Sequence, residues 1–124
     1  MKIRISGYSI RFRLRKGDLA VFLREGWVIE KFLVEPDEAS GLSFQLSSGS
    51  EAAIRKRPGI LEIVIPAEDT VRWHNDDVVG FRYEVAYGEI LYRIVVEKDF
   101  ACRTDESDGD DAFPQPGKPD KHCC

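Results

Sequence analysis

The run Gly88-Glu89-Ile90-Leu91-Tyr92-Arg93-Ile94-Val95-Val96-Glu97-Lys98 constrains this chain more than any other stretch. Its length and its β-branched and aromatic content are those of a central strand. The run before it, Val78 to Ala86, has the same character, and Tyr87-Gly88 between them predicts a two-residue hairpin turn with Gly88 at positive φ. That register pairs Val85 with Ile90, Tyr83 with Tyr92, Phe81 with Ile94 and Val79 with Val96 as a core-facing stripe. On the other face it sets Glu84 against Leu91, Val78 against Glu97, and Arg82 directly against Arg93. Two opposed arginines repel, so the pair requires water, Glu84 and Glu97, or a bound anion.

Upstream, Ile3 and Ile5 alternate with Lys2, Arg4 and Ser6, and after Gly7-Tyr8-Ser9 the alternation resumes with changed parity as Ile10, Phe12 and Leu14 against Arg11, Arg13 and Arg15. A parity change of this kind marks a tight hairpin or a bulge. Asp18 is expected to cap a short helix with Leu19, Phe22 and Leu23 on one face, and Gly26 to close it. Strands follow over Trp27 to Val34, Gly41 to Ser47, Ala52 to Arg57 and Ile60 to Ile65, and Pro66 begins a second short helix, Ala67 to His74. The order of elements therefore contains an internal echo. Two strand-helix-strands units of this kind predict an α+β fold: a mainly antiparallel, strongly curved sheet or open barrel with two short helices outside.

Charge divides the chain in two. Residues 1–98 hold equal numbers of basic and acidic side chains, whereas residues 99–124 hold three against seven, which accounts for the whole net charge of −4. We expect one α+β domain over residues 1–98 and an acidic, proline-containing tail over residues 99–124. The neutral body argues against nucleic acid as partner. No apolar run approaches the length of a membrane span and the opening residues lack a signal-peptide core, so the sequence leads us to expect a cytoplasmic protein with no membrane partner. Nothing in it sets an oligomeric state.

The positions that alternate with the core stripes make up the candidate site. Arg11, Arg13, Arg55, Arg82, Glu84, Arg93 and Glu97 would share a second sheet face, and on a curled sheet they would converge on a multiply charged anion such as phosphate, which guanidinium groups bind in bidentate fashion. A separate candidate lies in the tail, where Cys102, His122, Cys123 and Cys124 offer thiolate and imidazole ligands for zinc or another metal. Three cysteines, two of them adjacent, do not form a secreted disulfide framework. In a third arrangement Phe100 and Phe113 simply dock the tail on the body. There is no Gly-rich phosphate loop, nucleophile elbow or Cys-x-x-Cys motif, and His74 reads as a helix-end residue, so a non-catalytic binding module is the expectation.

The opening Lys2-Ile3-Arg4-Ile5, Gly7 and Ser9-Ile10-Arg11, with Val96-Glu97-Lys98-Asp99-Phe100-Ala101-Cys102 and Asp111-Ala112-Phe113-Pro114-Gln115-Pro116 near the end, resembles a family of small uncharacterised bacterial proteins. That resemblance implies a cytosolic bacterial protein and no particular activity. The tandem strand and helix order also looks like the triphosphate tunnel fold of CYTH-type phosphohydrolases. Such a likeness would imply triphosphate bound by lumen arginines and lysines and a divalent metal held by glutamates, here Glu62, Glu84 and Glu97. The family's Glu-x-Glu-x-Lys signature is absent, since Lys2-Ile3-Arg4-Ile5-Ser6 has basic residues in its place.

Overall fold

The computed structural model describes residues 1–34 and 41–100. Its strands are β1 (Lys2–Ser6), β2 (Ser9–Leu14), β3 (Trp27–Phe32), β4 (Leu42–Gly49), β5 (Ala53–Arg57), β6 (Ile60–Pro66), β7 (Gly80–Tyr87) and β8 (Ile90–Lys98), with helices α1 (Lys16–Glu25) and α2 (Ala67–Arg72). The class is α+β, and the chain runs through the order strand, strand, helix, strand, strand twice. Two features differ from the expectation of one mainly antiparallel, curved sheet or barrel. Eight strands form two separate four-stranded sheets, β1-β2-β8-β7 and β3-β4-β6-β5, and each is mixed, with a parallel central pair flanked by antiparallel edges. The cause is the path of the helices. Each carries the chain from one sheet to the other, so the first and last hairpins meet in one sheet and the two middle hairpins form the other, each joined through a parallel central pair.

The sheets bury their apolar faces in one shared core. Phe12, Leu14, Ile94 and Val96 of the first sheet pack with Val28, Leu46, Ile63 and Ile65 of the second. The run Ile90–Lys98 is a central strand, as its composition predicts, and Ile94 to Glu97 are buried on both faces. Gly7-Tyr8 forms a hairpin turn with Gly7 at φ 56°, which explains the parity change between Ile5 and Ile10: the two residues sit opposite each other across the turn on the inward side of the sheet, Ile10 buried and Ile5 exposed at its end.

Both helices contribute to the same core. Helix α1 begins two residues before Asp18, which sits in its first turn and accepts a hydrogen bond from the Arg15 backbone N–H at 3.0 Å. Gly26, at φ 84°, ends the helix and donates its N–H to the Phe22 carbonyl at 2.8 Å. Helix α2 stops at Arg72, short of the expected His74, and Trp73 turns inward. Phe22 and Trp73 are fully buried and meet edge to face, with ring centroids 6.1 Å apart. Among the described residues no helix is long and apolar enough to cross a membrane.

The Tyr83 hydroxyl ties α2 to β7 by donating to Asp69 Oδ2 at 2.7 Å. Burial, reinforced by this bond to a carboxylate, pushes the phenol well above its ordinary value. A raised folded-state pKa contributes stability that is complete below the unfolded tyrosine value of about 10 and is lost as pH rises above it. Replacing Tyr83 with phenylalanine is expected to cost about 1.5 kcal/mol near neutrality, because a hydrogen bond to a charged acceptor is removed. Urea denaturation of both proteins at neutral and at alkaline pH checks this. The variant should lose less stability than the parent on going above pH ~10; an identical alkaline decline in the two proteins would contradict the assignment.

Candidate functional site: the outer face of one sheet

Residues that alternate with the core positions of β1, β2, β8 and β7 lie on the outer face of the first sheet, and the strand register sets them in rows. One row is Ser6, Ser9, Arg93 and Glu84; the next is Arg4, Arg11, Val95 and Arg82; the third is Lys2, Arg13, Glu97 and Gly80. Six cationic side chains thus share one face with two carboxylates. With strands about 4.8 Å apart, each row spans roughly 14 Å.

The electrostatics of this face centre on Glu97. Its side chain is only 6% exposed, and Oε1 accepts a hydrogen bond from Arg13 Nε at 2.9 Å and lies 3.7 Å from Arg11 Nε. Arginines flank the carboxylate and lie along the sheet, four-fifths buried themselves. Lys2 Nζ lies 2.9 Å from Asp99 Oδ2 at the edge of the same face, and the hydrogen bond from Lys2 holds the Asp99 carboxyl below the usual range. Arg82, Arg93 and Glu84 are exposed, and neither arginine makes an ion pair with another described residue. Beside Arg93, a shallow cavity of about 250 Å³ is lined by Tyr8, Ser9, Glu84, Leu91 and Tyr92.

The predicted opposition of Arg82 and Arg93 is not present. The turn is Gly88-Glu89, one residue later than expected, with Gly88 at φ 64°, so Tyr87 pairs with Ile90 and the ladder below shifts. Glu84 now faces Arg93, and Arg82 faces Val95. The inward and outward sets of residues are unchanged, because moving the turn by one residue shifts the pairing by two along the partner strand. Like charges are instead opposed in the first hairpin, where Arg4 faces Arg11 and Lys2 faces Arg13. The sequence reading missed these two, although a two-residue turn at Gly7-Tyr8 would have set both pairs.

Arg55 does not join the others. It lies on β5 beside Glu62, on the outer face of the second sheet, and the packed core separates the two outer faces. Glu62 there is held by Ser47 Oγ at 2.8 Å and Gln45 Nε2 at 3.2 Å, with Arg57 Nη2 3.9 Å away. The arginines therefore line no lumen, since the space between the sheets is filled by apolar side chains. Among the described residues no cluster of three or more potential metal ligands occurs. Cys102, His122, Cys123 and Cys124, with Phe113, lie outside the described residues.

Fold and site together define a small α+β protein of two mixed sheets with a cation-rich outer face. The chain belongs to a family of unknown function, DUF7009, whose family model matches residues 1–117. No curated protein matches the chain, and no solved structure does.

Proposed function

We propose that this protein is a binding module for a multiply charged oxyanion, a phosphate chain above all, on the outer face of the β1-β2-β8-β7 sheet. The observation that carries the reading is the excess of cations on that one face, six against Glu84, Glu97 and the edge carboxylate Asp99, in a body whose net charge is zero. Arg82 and Arg93 are the exposed contacts, and Arg4 and Arg11 extend the row across the sheet. Guanidinium forks suit phosphate oxygens, and cations spaced along a row suit a linear chain of them. The role in this reading is capture rather than turnover.

Titration with tripolyphosphate at low ionic strength, by calorimetry and by thermal shift, tests the proposal. At a concentration about a hundred times the dissociation constant the ligand should stabilise the fold by roughly 2.7 kcal/mol. The Arg82→Ser, Arg93→Ser double variant should bind at least about tenfold more weakly, a loss of about 1.4 kcal/mol. Arg55→Ser, Arg57→Ser, on the opposite sheet, should leave binding unchanged. Equal losses from the two double variants would mean that the attraction is diffuse and that the face is no site. Absence of any stabilisation by tripolyphosphate would remove the proposal outright.

A further inference from the structure

The two ends of the sheet pair are not alike. At one end Phe22 and Trp73 fill the gap between the sheets and are fully buried. At the other, where the Gly7-Tyr8 turn lies, no helix enters, and the interior side chains part around a cavity of about 170 Å³. Ile5, Ile10 and Tyr92 line it from the first sheet, and Ile54, Ile63 and Lys56 from the second. Ile63 forms a fully buried floor, whereas Ile5 is 58% exposed and stands at the rim.

Beside the hydroxyl-bearing Ser9, Tyr87 and Tyr92, one lining residue carries a charge. Lys56 pairs with Leu61 in the β5–β6 ladder, which places it on the inward-facing side of β5. Among the described residues it is the one charged residue in the lining, it is exposed, and it forms no ion pair with another of them. A lysine on the inner face of a sheet interrupts an apolar stripe, and here it does so at the mouth of the space the stripe encloses. Apolar cavities of about 150 Å³ admit a benzene-sized guest and stay dry when empty. An ammonium at the edge of such a cavity supplies a charge-assisted hydrogen bond to an anionic oxygen.

We infer that the cavity binds a small carboxylate whose apolar body has the size of a single aromatic ring, with the ring between Ile10, Ile54 and Ile63 and the carboxylate at Lys56. This site is independent of the basic outer face. It lies between the sheets and takes an amphipathic ligand with one charge.

Titration of the full chain with 3-phenylpropionate, and with its neutral amide as control, tests the inference by amide chemical shifts and calorimetry. The acid should bind at least about tenfold more tightly than the amide, and the shifts should cluster at Ile10, Ile54, Ile63 and Tyr92. Lys56→Met, at an exposed position, should fold normally and abolish the preference for the acid. Ile54→Phe, which fills the cavity, should remove binding of both compounds, and its melting temperature shows whether it remains folded. Tripolyphosphate binding should be unaffected by Lys56→Met, which separates this site from the outer face. Equal affinity for acid and amide would overturn the inference, as would an unchanged preference in Lys56→Met. Failure of the acid to bind, including failure because a second copy of the chain covers the mouth in sedimentation, would overturn it too.

Discussion

Replacing Trp73 with alanine is expected to lower stability by about 4 kcal/mol, near the upper range for a buried aromatic side chain. Trp73 is fully buried where α2 meets the sheets, and its ring packs edge to face on both Phe22 and Phe81, at 6.1 and 6.0 Å. Its indole N–H donates to the Val79 carbonyl at 3.1 Å, which fixes the chain entering β7. The loss therefore combines a cavity at the contact between the helices with the loss of one of two hydrogen bonds to the Val79 carbonyl, which still accepts from the Lys98 N–H at 2.9 Å. Urea denaturation followed by circular dichroism measures it. Trp73→Phe retains most of the volume and should cost about half as much, through the lost hydrogen bond and imperfect filling. A change below ~1 kcal/mol for the alanine variant would show that the core does not depend on this ring.

Neutralising Glu97 should move stability and anion affinity in opposite directions. Its buried carboxylate is a counter-ion of Arg13 and Arg11, so Glu97→Gln removes negative charge that both partly buried guanidinium groups approach. The expected cost is about 2 kcal/mol, below the full penalty for a buried pair because both arginines retain some contact with water. The same change removes a competing anion from the middle of the basic face. Tripolyphosphate affinity should rise about tenfold, and adding the ligand should restore part of the lost stability. Denaturation with and without tripolyphosphate reads both effects. A variant that is less stable and also binds no more tightly would show Glu97 to be structural and the face to lack a phosphate site.

Some of this was legible in the residues alone, and the reason is local. The Ile10, Phe12, Leu14 and Ile90 to Val96 stripes gave the strands and their inward faces because side-chain direction in a strand depends only on the parity of position. Gly26 and Pro66 marked helix boundaries through backbone preferences of their own. The same parity rule placed Arg11, Arg13, Arg82 and Arg93 away from the core before any partner strand was known.

The alignment of those arginines was not legible, because it depends on which strands pair and in what register. At the last hairpin a turn one residue later replaced the Arg82–Arg93 opposition with Glu84 against Arg93, since Gly88 sits first in the turn rather than second. The parallel pairing of β2 with β8 sets Arg13 beside Glu97 across 84 positions of sequence, and no local preference records such a contact. The division into two sheets likewise follows from helices that carry the chain between them, which put Arg55 on the opposite outer face and an apolar core where a lumen was expected. Thus the residues alone carried which side chains face inward and, to within a residue, where the chain turns, because backbone sterics and side-chain alternation act within a few residues. Which outward residues became neighbours was settled by tertiary packing, because it depends on bringing the two ends of the chain into one sheet and packing that sheet on the other, formed by the middle of the chain.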